Sequence, residues 1–190
     1  MCYQVDVMKI RLFVTSLTAV AALSFGVFAQ KSKIESVYTD LDTKSCKTLE
    51  QSDEGAGWYR GECQGIGGYK LQVTEGDIRQ SIDVVAPNKK TYQLDLIGHI
   101  SSGFSSVGAK AEWRVTRKGR TVTPNALIVR FNVSENGEDS SIITSYLVVT
   151  KITKNQICIT DVIKPNPKAN NTARKLADSA AAKPCVTSEN

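Results

Sequence analysis

The sequence predicts a mainly β protein: an antiparallel β-sandwich or partly open barrel of seven to nine strands, with a short C-terminal helix. Three observations carry that expectation. Apolar residues recur with a period of two from Tyr69 onward. Turn-forming groups such as PNKK, RKGR and ENGEDS separate those runs at short intervals. The alternation stops at KPNPKANN, whose prolines cannot continue a ladder, and strong helix formers follow.

The chain opens with an export signal over residues 1–29. Lys9 and Arg11 form a positive n-region, and Leu12 to Ala29 is apolar and uncharged. Val27 and Ala29 suit the −3 and −1 positions, which places the cut after Ala29 and leaves one domain from Gln30 to Asn190. A retained membrane anchor is the alternative, because the apolar run sits at the lower limit for crossing a bilayer. After cleavage no stable span remains, and the expected location is periplasmic or secreted. Loss of Lys9, Arg11 and Asp6 leaves the mature chain one unit below the +5 of the whole sequence. That mild charge does not fit a dedicated nucleic-acid binder, and no nucleic-acid partner is expected. It leaves room for an acidic protein or an anionic envelope polymer as partner.

Four cysteines follow the cut: Cys46, Cys63, Cys158 and Cys185. An even count in an exported chain reads as two disulfides, with three possible connectivities. Cys46–Cys63 with Cys158–Cys185 is favoured, because each bridge closes a local segment. Zinc is the rival reading. The absence of a C-x-x-C and the single histidine, His99, argue against a metal site, and no cofactor pattern stands out.

In chain order, residues 31–40 form a short ordered segment, and QSDEGAG is a polar loop. GWYRGEC reads as a strand. Its Trp58 is a core plug on the usual burial of tryptophan, or else a binding aromatic on the surface. Gly65, Gly67 and Gly68 make a tight turn or bulge; a phosphate cradle would need a helix behind them. Tyr69, Leu71 and Val73 share one strand face. Ile78, Ile82 and Val84 continue on the next strand, and Tyr92, Leu94 and Leu96 on another. Ala111, Trp113 and Val115 alternate with Glu112, Arg114 and Thr116 before a hairpin turn near Gly119. Leu127 to Val133 alternates again. IITSYLVV is apolar on both faces, as in a covered central strand, and QICITDVI is a further strand. Residues 172–183 form the helix, capped by Asn170 or Asn171, and Cys185 pins it to the strand bearing Cys158.

The ordered set YTDLD, Cys46, GW, C-x-G, GY and EGD-x-R, extended by EWR at Glu112 to Arg114 and the late cysteine pair, resembles a family of small exported bacterial proteins of unknown function. The resemblance covers Tyr38 to Cys185. It implies export and the extent of the domain, and it assigns no catalytic or binding residue.

No nucleophile–base pair is recognisable, so no catalytic residue is assigned. His99 is the only histidine, at an expected strand end. The candidate binding residues are Trp58, Tyr69, Trp113 and Arg114, which resemble interface anchors in type, and the basic hairpin tip of Arg117, Lys118 and Arg120. The leading expectation is therefore a non-enzymatic envelope binding module for a protein or polymer. Exported lysozyme inhibitors are an analogue at the level of fold alone. The alternative is a hydrolase of unrecognised type using Glu75 and Asp77 as a carboxylate pair. Against it, both flank a turn glycine, where a solvated charge cluster with Arg79 is the plainer reading.

Overall fold

The computed structural model describes Met1 and residues 33–187; the export signal and its cleavage point lie outside the described residues apart from Met1. Ten strands and two helices follow in order: β1 (Lys33–Asp40), β2 (Lys47–Ser52), β3 (Trp58–Gln64), β4 (Lys70–Gly76), β5 (Arg79–Val85), β6 (Thr91–Gln93), α1 (Leu96–His99), β7 (Ser105–Lys118), β8 (Thr121–Ser134), β9 (Ile143–Ile152), β10 (Ile157–Ile163) and α2 (Ala169–Asp178). They build one large sheet in the order β10-β9-β8-β7-β5-β4-β3-β2, with β1 also on β7 and β6 on β5. The predicted class holds: mainly β with a short C-terminal helix. The sheet is mixed, however, because β5 meets β7 in parallel at Arg79 and Ser105, and it is not closed into a barrel.

β7 explains how one sheet encloses one core. Its register against β8 slips between Val107 and Ala111. Gly108 sits at that bulge, where a Cβ would stand 2.8 Å from Cβ of Arg130. Such an insertion bends a strand and raises its twist. β7 therefore touches β5 at its first residue, and pairs with β1 from Lys110 to Arg117. A second slip leaves Asn125 unpaired next to Pro124 in β8, and bulges are where strands accommodate proline.

One face of the sheet buries Leu71, Val73, Ile82, Val84, Trp113, Val115, Leu127, Phe131 and Val148 in one cluster. Alternation predicted these positions apart from Val148, which belongs to the run read as apolar on both faces. On the other face, α2 lies against β8 and β9. Ala169, Ala173 and Ala177 recur every fourth residue and pack with Ala126, Ile128, Leu147, Val149 and Ile163. β9 is thus covered on both sides from Tyr146 to Ile152, in keeping with a run that reads as apolar on both faces.

Several local expectations are corrected. The helix begins at Ala169 rather than Thr172 and ends at Asp178, followed by a single 3-10 turn over Ala180–Ala182. No side chain caps its start; Asn166 instead accepts a hydrogen bond from the Lys168 amide at 2.9 Å and sets the entry. Leu94 and Leu96 are buried, but not in a strand. Asp95 takes a left-handed conformation (φ 47°), accepts from the Gly98 amide at 3.1 Å, and opens the one-turn helix α1 that ends at His99. Ile78 does not face the core. It shares with Asp77 the two central positions of the β4–β5 turn, at φ 57° and 50°, and is 65% exposed.

Both favoured disulfides are present, Cys46–Cys63 and Cys158–Cys185. The first ties the loop after β1 to β3. The second holds the segment after α2 on β10, where the Val186 amide donates to the Ile159 carbonyl at 2.8 Å.

Candidate functional site

Strand direction divides the charged turns between two ends of the sheet. β7 runs toward Lys118, and β5, its parallel neighbour, runs toward Val85. The β7–β8 hairpin, the β5–β6 turn, the β3–β4 turn and the start of β1 therefore fall at one end. Contacts join them. A Cβ on Gly67 would stand 3.0 Å from the Pro124 ring in β8, and one on Gly68 would stand 3.5 Å from Pro87. The glycine cluster is the tight turn the sequence predicts, with φ of 64° at Gly67 and 84° at Gly68. It lets the two flanking turns close onto it.

Lysines and arginines crowd this end. Lys33, Lys89, Lys90, Arg117, Lys118 and Arg120 are all exposed. Gly119, at φ 59° in the first central position of the hairpin, supplies the backbone a two-residue turn needs and pushes Lys118 and Arg120 outward. Arg117 is held back by Glu35, at 2.6 Å across the β1–β7 pair. Lys90 lies over the Tyr92 ring, 4.7 Å from its centroid. Among the described residues, Lys89, Lys118 and Arg120 have no carboxylate within 4.0 Å. A recess of about 440 Å³, lined by Lys70, Lys89, Gln72, Thr91 and Glu62 among others, opens beside the Pro87 turn.

The predicted aromatic and arginine set does not form one surface. Trp113 is fully buried; its indole N–H donates to Thr39 Oγ1 at 2.9 Å. Tyr69 packs against it, with ring centroids 6.2 Å apart, and burial pushes its phenol above its ordinary range, with Tyr92 adding to the shift. These two are core partners, because alternation turns them inward. Trp58 contradicts its core expectation: it opens β3 near the sheet edge and is 43% exposed. Arg114 is buried for a reason the sequence hid. The face of β7 opposite the main core is covered by α2, so Glu112 and Arg114 lie inside. Arg114 makes a two-pronged ion pair with Asp178 at 2.7 and 2.9 Å. Glu112 accepts from Arg174 at 2.6 Å and from the Ser36 hydroxyl. Burial raises the Glu112 pKa, but the Arg174 and Ser36 hydrogen bonds outweigh it, and the carboxyl ends below its usual range. Two charges four apart on α2, Arg174 and Asp178, were the sequence signal for this network.

Glu75 and Asp77 are placed apart in role. Asp77 pairs with Arg79 within the β4–β5 turn, as the plainer reading expects. Glu75 accepts from the Gln80 amide at 2.6 Å and lines a recess with Tyr59, Thr48 and Gln51 that Asp77 does not line. His99 ends α1, where its Nδ1 is enclosed without a hydrogen-bond partner among the described residues. A carboxylate pair that the sequence reading passed over, Asp83 and Asp95, shares a polar recess with Thr74, Ser81 and Gln93. Burial holds the Asp83 carboxyl above its ordinary value, against the hydrogen bond from the Leu94 amide, and Asp95 adds to the rise.

Comparison of the chain with known protein families, with characterised proteins and with solved structures returns no match.

Proposed function

We propose that the mature chain is an exported, non-enzymatic binding protein that engages an acidic protein or an anionic envelope polymer through its basic end. The observation that carries this reading is the contiguity of the turns. Lys118 and Arg120 on one prong and Lys89 and Lys90 on another are bridged by the Gly67–Gly68 turn. Exposed like charges side by side contribute nothing to folding and repel one another. An acidic partner removes that repulsion and gains steered association. The bridges Cys46–Cys63 and Cys158–Cys185 support export, since disulfides persist in oxidising compartments.

The test begins with a pull-down on envelope and extracellular extracts using the mature protein. Association rates with the captured partner are then measured for wild type and for Lys89→Ser/Lys118→Ser/Arg120→Ser. The screening length falls from about 10 Å at 0.1 M salt to about 3 Å at 1 M. The wild-type rate is expected to drop across that range, and the variant to start slow and change little. Equal rates and equal salt slopes for both forms would end the basic-end reading. Turnover of a cell-wall substrate, abolished by Glu75→Gln or Asp77→Asn, would replace it with a hydrolase.

A further inference from the structure

At the end of the sheet opposite the basic turns, the first residue of β5, the loop preceding β7, the end of β8 and the loop leading to β9 line a cleft of about 540 Å³. That volume lies within the range of small-molecule sites. Short hydroxyl side chains are the commonest lining. Ser101, Ser102, Ser134 and Ser140 present short side chains, each hydroxyl both donor and acceptor. Asn136 adds an amide. Phe104 is the one aromatic, 43% exposed on the cleft wall.

The walls are held before any ligand arrives. Arg79 lies over the Phe104 ring, 4.8 Å from its centroid. Its Nε donates to the Ser102 carbonyl at 2.9 Å and its Nη1 to the Asp77 carbonyl at 3.0 Å. The Phe104 carbonyl accepts from the Ser134 amide at 2.9 Å, and the Ile78 carbonyl accepts from the Ser105 amide at 3.1 Å. Glu135 is pinned by the Tyr146 hydroxyl, at 2.9 and 3.0 Å from its two oxygens. The turn that presents Arg79 carries Asp77 and Ile78 at positive φ, and a β-branched residue there is costly. Strain of that kind persists where the surroundings fix it and gathers at ligand sites.

Charge selects the class of ligand. The two ionised liners, Arg79 and Glu135, are of opposite sign, and Asp77 already offsets Arg79. Glu138 and Asp139 stand exposed in the adjoining loop. The cleft therefore offers an anion no net attraction. It offers a neutral molecule many hydrogen-bonding groups in exchange for those it gives to water, and one flat apolar face to stack on. A pyranose ring has that surface: hydroxyls around its rim and C–H groups on its face. We infer that this cleft, walled by Phe104 and Arg79 and lined by the four serines, binds a neutral saccharide. This site is separate from the basic end and stands without it.

The experiment is calorimetric titration of the mature protein, at millimolar ligand, with neutral tetrasaccharides of the chitin, glucan and galactan types and with a sulfated dextran oligosaccharide. Binding of at least one neutral tetrasaccharide is expected. Phe104→Ala should weaken it by about tenfold or more, as loss of an aromatic anchor does. Gly137→Tyr is the second variant: no atom lies within 4 Å of a Cβ there, so the new ring can enter the cleft without disturbing the core. It should weaken binding to a similar degree even if Phe104→Ala does not fold. Lys118→Ser/Arg120→Ser should bind as the parent does, which separates this site from the basic end. No binding across the neutral panel overturns the inference. So does binding that Gly137→Tyr leaves unchanged, or preference of the cleft for the sulfated probe.

Discussion

Single positions in this chain differ sharply in what they tolerate, and close approach decides it. At Gly65 a Cβ would stand 2.5 Å from the Tyr69 carbonyl oxygen and 2.9 Å from the Trp113 ring. The backbone there cannot yield without moving the main aromatic of the core. Gly65→Ala is therefore expected to cost about 1–3 kcal/mol, as overpacking does, measured by urea denaturation; Gly137→Ala, in open space, should cost nothing measurable. Glu112 supplies a pH-dependent counterpart. Its carboxyl titrates below its unfolded value. Its contribution is thus present above the unfolded pKa and is lost as pH falls through the folded one. Glu112→Gln should destabilise by about 1–2 kcal/mol at neutral pH, between an exposed pair and a fully buried one, because Arg174 is 37% exposed. It should also flatten the acid limb of the stability curve. An acid limb as steep as wild type would show that other carboxyls govern it.

At the scale of elements, α2 is held by three devices of different physical kinds. An alanine ridge lets it approach β8 and β9 closely. Two ion pairs, Arg114–Asp178 and Arg174–Glu112, fix its rotation. Cys158–Cys185 closes a loop of sequence separation 27 behind it. Loss of that bridge in Cys158→Ser/Cys185→Ser should lower stability by about 3–4 kcal/mol on the chain-entropy model. Hydrogen exchange should rise first in α2, whose other contacts are small side chains and partly solvated charges. Uniform exchange across β8 and α2 would mean that the helix never opens apart from the sheet. The same elements mark what was legible in the sequence. Period-two runs gave the buried faces of β4, β7 and β8, because burial on one side is all that alternation reports. That side says nothing of a second layer. Glu112 and Arg114 alternate as a solvated face does, yet α2 covers them, and only the spacing of Arg174 and Asp178 hinted at it. Leu94 and Leu96 read as a strand because the left-handed turn at Asp95 leaves no periodic trace. The cleft at Phe104 was not visible at all, since its wall comes from strand ends far apart in sequence.

Across the whole molecule, the two ends of the sheet carry different chemistry, and the two disulfides bear on the expected export. β1 begins at Lys33, paired with Arg117. A cut after Ala29 would leave only Gln30, Lys31 and Ser32 ahead of it. Both disulfides lie beyond the expected leader, and disulfides persist in oxidising compartments. The two events are therefore expected to be linked. Full-length chain expressed with its leader should yield protein of mass beginning at Gln30, with Cys46 joined to Cys63 and Cys158 to Cys185 in a non-reduced peptide map. Cys2 should be absent from that map. Chain expressed from Gln30 in a reducing cytosol should carry four free thiols and melt at lower temperature, since each bridge contributes about 3–4 kcal/mol on the chain-entropy model. Oxidised, leader-bearing protein in the cytosolic fraction would break the link between cleavage and pairing, and with it the case for an exported binding protein.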